Sequence, residues 1–121
     1  MILTSQKTKK IGYNLWYQLW KHPECEFKND LLNCGDEAKI AYEDAQYYPE
    51  ACVFCAWDAQ ERIDNRRDGK DHPFCSFCPL RGQSGDCCHG YYRKWALSTE
   101  EKERKLYAKA IVDMIAQWKP T

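Results

Sequence analysis

Four of the eight cysteines form two Cys-x-x-Cys pairs, Cys52 with Cys55 and Cys75 with Cys78, set nineteen residues apart by a loop that is mostly charged. Two thiols separated by two residues can turn back tightly enough to supply adjacent corners of a tetrahedron. Two such pairs at this distance have the spacing of a four-thiolate zinc site. Four thiolates close the coordination shell, so the chemistry this predicts is structural rather than catalytic. Arg62, Arg66, Arg67 and Lys70 lie between the pairs. They either offset the negative charge of a thiolate cluster through space or simply solvate a loop.

After eight further residues come Cys87, Cys88 and His89. Any of the three could replace Cys52 or Cys55 in the tetrahedron, so the candidate ligands are Cys52, Cys55, Cys75, Cys78, Cys87 and Cys88, with His89 beside them. Two of the three could also join His22, Cys25 or Cys34 in a second site. The irregular spacing of that last trio favours reading Cys25 and Cys34 as small buried apolar residues, and His72 as a surface residue.

Other chemistries lack their residues. A zinc deaminase needs His-x-Glu paired with Pro-Cys-x-x-Cys. His22-Pro23-Glu24 spells the first half, but it has a proline after the histidine and stands far from the paired cysteines. A thioredoxin-like site would place one Cys-x-x-Cys after a strand in a βαβ unit. There is no phosphate-cradling glycine loop and no serine elbow. Asp58, Glu61 and Asp64 share a helical face that could hold a cation, although such a row is ordinarily a wet surface. The sequence predicts no enzyme.

The elements that must position these thiols are helical. Ile11, Leu15 and Leu19 recur every fourth residue with Trp16 and Trp20 beside them, predicting a helix over 8–22 that Pro23 stops. A second helix is expected over 36–48, capped by Asp36, with Ile40, Ala41, Ala45 and Tyr48 inward. A third follows Cys55 over 56–66. The last runs over 98–118, opened by a Ser98/Glu101 capping box, with Leu106, Tyr107, Ala110, Ile111, Met114, Ile115 and Trp118 inward. Its outer face pairs Glu100 with Arg104 and Glu101 with Lys105. The expectation is a mainly α fold: a single domain, residues 1–121, of about four helices around a zinc site, with short β-hairpin elements accommodated at the cysteine turns.

At 121 residues the chain can bury only a modest core, and a metal staple would help it. Eighteen basic residues balance eighteen acidic ones, and no run of five like charges occurs. That argues against a protein that coats phosphate backbones. No apolar stretch reaches membrane-spanning length and the N-terminus lacks the pattern of a secretory signal. The expected location is the cytoplasm, where paired cysteines serve metals better than disulfides.

The order "LWYQLWKHP", Cys52-x2-Cys55, Cys75-x2-Cys78-Pro79-Leu80, Cys87 or Cys88 shortly before Tyr91, Tyr92 and Trp95, and then an amphipathic C-terminal helix resembles a group of short cysteine-rich bacteriophage proteins. The resemblance spans residues 15 to 118. In that group a cysteine after the Cys-Pro-Leu element recurs just before a Tyr and a Trp, which brings Cys87 and Cys88 forward as ligands. This chain departs from the pattern in its longer inter-pair loop, in Cys25 and Cys34, and in its doubled Cys87-Cys88. The resemblance implies a phage or prophage origin, and hence the host cytoplasm, and brings no activity with it.

Two functions fit. The first is a zinc-stapled protein-interaction module that acts on a host protein, with inhibition of a defence protein as a sub-case. Trp57, Phe77, Tyr91 and Tyr92 are its expected partner-binding residues, because Tyr and Trp anchor interfaces. Taken singly, each is more simply a core residue. The alternative is a nucleic-acid-binding zinc finger using Arg62, Arg66, Arg67, Lys70, Arg81, Arg93 and Lys94 with Tyr91 and Tyr92. Asp58, Glu61, Asp64, Asp68 and Asp71 are interleaved with those arginines and would repel phosphates.

Overall fold

A computed structural model describes residues 3–46, 53–65, 78 and 90–120. Among them are five α-helices, α1 (Ser5–Lys21), α2 (Asp36–Gln46), α3 (Val53–Asn65), α4 (Tyr91–Leu97) and α5 (Glu101–Gln117), and a 3₁₀ helix at Lys28–Asn33. The expected mainly α architecture is present, and there is no strand among the described residues. The turns at Cys52, Cys75, Cys87 and Cys88, where hairpins were expected, lie outside them.

Helix α1 starts at Ser5, three residues before the expected start at residue 8, because Thr4 caps it, its hydroxyl accepting the Lys7 N–H at 3.1 Å. Ile11, Leu15, Trp16 and Leu19 are buried as expected, and the helix stops at Lys21 with His22 as C-cap before Pro23. Helix α5 lies antiparallel against it, and two cations fix the pairing at its ends. Lys9 donates to the carbonyls of Ala116 at 3.1 Å and Trp118 at 2.6 Å, satisfying acceptors that the C-terminus of α5 leaves over. At the other end the buried Arg104 guanidinium donates from Nε to the Pro23 carbonyl at 2.7 Å and from Nη1 to the Ser98 carbonyl at 3.4 Å.

Arg104 is therefore an inward residue, not the outer-face partner of Glu100. The inner stripe of α5 is Arg104, Ala108, Ile111, Val112 and Ile115, rotated so that Leu106 is 63% exposed. The capping box is also absent. Ser98 instead closes α4, its hydroxyl donating to the Lys94 carbonyl at 2.6 Å and its N–H to Trp95, while Glu100 holds the N-cap position of α5. A helical turn immediately upstream has taken the serine.

A similar rotation affects α2. Its buried face is Ala38, Ala41 and Ala45, and Ile40 is 58% exposed, because three small side chains let the helix approach α1 more closely than a face containing Ile40 would. Tyr48 lies outside the described residues. Asp36 stands in the first turn rather than at the cap. That place is taken by Gly35, whose φ of +103° only glycine adopts without strain and whose carbonyl receives the Lys39 N–H at 3.0 Å.

Helix α3 begins at Val53, so Val53 and Phe54 are buried in the same core. A reciprocal pair ties it to the N-terminal segment: Gln60 accepts the Leu3 N–H at 2.8 Å and donates to the Leu3 carbonyl at 2.7 Å. Phe54 rests on the backbone of α1 at Gly12, where a Cβ would fall 2.1 Å from Phe54 Cζ. Replacing a helical glycine by alanine ordinarily gains about 1 kcal/mol of helix propensity. Here it must push an aromatic ring out of a filled core, at about 1–3 kcal/mol or more. Gly12→Ala should therefore lower stability in chemical denaturation despite the better helix former. An unchanged or raised midpoint would show that α3 does not press on α1 there.

Candidate metal centre

Pro23 forbids α1 from continuing, and the chain turns at once. The His22 N–H still bonds the Gln18 carbonyl at 2.9 Å, and the Cys25 N–H closes a turn on the His22 carbonyl at 3.0 Å. The loop beyond is pinned from inside, since the Asp30 carboxylate accepts the N–H groups of both Glu26 and Phe27 at 3.0 Å. Fully buried Leu31 anchors the 3₁₀ helix, and Cys34 ends it with its N–H on the Leu31 carbonyl at 3.1 Å. The two ends of this segment meet.

Cys25 Sγ lies 3.6 Å from Cys34 Sγ. His22 Nδ1 lies 3.2 Å from Glu24 Oε1. The donor atoms of His22, Glu24 and Cys34 are all within 4.8 Å of one another, a group that could hold a metal ion. Burial, then the hydrogen bond and charge of Cys34, then the charges of Glu24 and Asp30 push the Cys25 thiol up to about 12. On its own, then, the thiol keeps its proton; a cation among these donors is what would remove it. Sequence spacing pointed away from Cys25 and Cys34 as ligands, yet the fold brings them together. The usable signal was His22-x2-Cys25, which has the same two-residue gap as Cys-x-x-Cys. Glu24 is not among the ligands expected from the sequence.

Of the thiols in the paired motifs, Cys55 stands in the first turn of α3, half-buried, and Cys78 is buried in the core cluster. Cys52, Cys75, Cys87, Cys88 and His89 lie outside the described residues, as does Phe77. The acidic row after Cys55 is not a uniformly wet surface. Asp58 is buried and accepts from Arg62 Nε at 2.9 Å, while burial and the neighbouring Asp64 charge raise the Glu61 carboxyl above its ordinary value.

The other expected partner residues are half-buried against the core. Trp57 has its ring 6.2 Å from that of Trp118. Tyr92 meets the edge or face of Trp16 at 5.7 Å under the Lys28 ammonium, and Tyr91 pairs with Tyr107 at 6.3 Å beneath Lys94. Compared with protein-family models, curated proteins and solved structures, the chain matches none. No helix among the described residues is long and apolar enough to cross a membrane.

Proposed function

We propose that this chain is a zinc-held helical protein-interaction module, and that the loop from Cys25 to Cys34 is its recognition element. Its target is a host protein, following the likeness to phage proteins, with modulation of a defence protein as the sub-case. The stapling zinc is held by four of Cys52, Cys55, Cys75, Cys78, Cys87, Cys88 and His89. One observation carries the interaction reading: the loop is pinned at both ends and by Asp30 within, yet it presents Phe27 at 65% and Leu32 at 42% exposure. A rigid loop with outward apolar side chains binds without first having to order them.

The nucleic-acid reading has less support. Stacking on bases requires open ring faces, and Tyr91 and Tyr92 are half-buried with lysine ammonium groups of the protein's own at 5.3 and 4.3 Å from the ring centroids. The discriminating experiment uses the tagged full chain and host lysate. Phe27→Ser combined with Leu32→Ser should melt near the wild type, since exposed positions usually shift stability by only about 0.5 kcal/mol, and should lose the partner that the wild type captures. Retained capture would move the interface elsewhere. Salt-sensitive binding to generic DNA or RNA, unaffected by the double substitution, would favour the alternative.

A further inference from the structure

We infer that the turn after α1 and the end of the 3₁₀ helix form a zinc site of their own, with the Cys25 and Cys34 thiolates, the His22 imidazole and the Glu24 carboxylate as its four ligands. It does not rest on the zinc assigned above to the cysteines between 52 and 88.

The argument is geometric first. With Zn–S bonds of about 2.3 Å, two thiolates on adjacent corners of a tetrahedron stand about 3.8 Å apart; the observed separation is 3.6 Å. The nitrogen and oxygen donors of His22 and Glu24 converge with Cys34 Sγ within 4.8 Å, a group that does not include Cys25. Cys34 belongs to both contacts, so an ion seated on it would draw the Cys25 thiol toward the other two ligands. Two sulfurs, one imidazole and one carboxylate are a donor set zinc accepts, and four of them leave no open position, which makes the site structural.

Deprotonation of the thiols is part of the binding step. When the two Zn–S bonds form, each thiol gives its proton to solvent, and the ion supplies the positive charge that the carboxylates here lack. The site would add a tie between the His22–Cys25 turn and the Cys34 cap, beside the Asp30 bonds and the buried Leu31 that already hold the loop, and would join the end of α1 to the segment that leads into α2.

Zinc per chain, measured by elemental mass spectrometry on the reduced full-length protein, tests this. Cys34→Ser should carry one zinc fewer than the wild type. His22→Ala, at a partly exposed cap position, should keep its helicity and lose that zinc to a chelator concentration that leaves the wild type loaded. If Cys34→Ser does not fold, His22→Ala decides alone, supported by cobalt substitution: its thiolate-to-cobalt absorption should change when the imidazole is removed. Wild-type zinc content and chelator resistance in His22→Ala, with an unchanged cobalt spectrum, would overturn the assignment. Cys75→Ser separates the two sites. Zinc lost there but not on Cys34→Ser or His22→Ala leaves only the paired-cysteine site standing, and the reverse pattern leaves only this one.

Discussion

Cys78→Ser is expected to abolish cooperative unfolding and to leave a protein depleted of zinc. Cys78 is 6% exposed within the core cluster, so two roles compete for it, and magnitude separates them. As a small buried apolar residue, exchanging its thiol for a hydroxyl buries a polar group at a cost of about 1–3 kcal/mol, a melting shift of about 2–8 °C for each kcal/mol. As a ligand it removes one corner of a site worth roughly 10–16 kcal/mol, against a whole-domain stability of about 5–15 kcal/mol. The first leaves a folded protein with a lower midpoint, and the second leaves none. Circular-dichroism melts of Cys78→Ser and Cys78→Ala beside zinc content make the comparison. Sharp transitions in both variants with unchanged zinc would return Cys78 to the core as a packing residue.

What the sequence announces is strongest where a periodic stripe and a hard stop coincide. Ile11, Leu15, Trp16 and Leu19 are buried on one face of α1, and Pro23 ends it. Faces that depend on ranking one apolar residue above another differ from the expectation. Hydrophobicity favours Ile40 and Leu106 for the interior, but close helix approach selects Ala38 in α2, and the need to satisfy the Pro23 carbonyl selects Arg104 in α5. Ser98 fits a capping box by local pattern, and only the presence of α4, whose seven residues give too short a run to reveal a period, shows that it closes one helix instead of opening another. The approach of Cys34 to Cys25 is hidden for a related reason. Cys34 reaches Cys25 through a 3₁₀ helix, which has no amphipathic signature to announce it, so the nine-residue spacing reads as irregular until the turn at Pro23 and the anchor at Leu31 are known.

Trp16→Ala should be the most damaging single change in the helical body. The indole is fully buried and stands edge-on to two rings of α4, Tyr92 at 5.7 Å and 72° and Trp95 at 5.2 Å and 83°. Truncating a buried tryptophan costs about 3–5 kcal/mol, and each well-placed aromatic pair adds about 0.5–1.5 kcal/mol beyond its buried area. The loss should therefore fall at the upper end of that range and approach the whole stability of a small domain. Trp16→Phe keeps a ring in the cavity and should lose much less. The damage should also travel. Trp95 Nε1 is buried without a hydrogen-bond partner among the described residues, so the edge-to-face contact is the fixed feature of its surroundings. Tyr92 in turn lies 4.3 Å beneath the ammonium of Lys28, the first residue of the 3₁₀ helix. Removing Trp16 loosens α4 and, through Tyr92 and Lys28, the loop that Cys25 and Cys34 close. Hydrogen exchange should then accelerate in both α4 and residues 28–34 of the alanine variant. Faster exchange confined to α1, with a stability loss below about 2 kcal/mol, would mean that the cluster fills space without linking the helices.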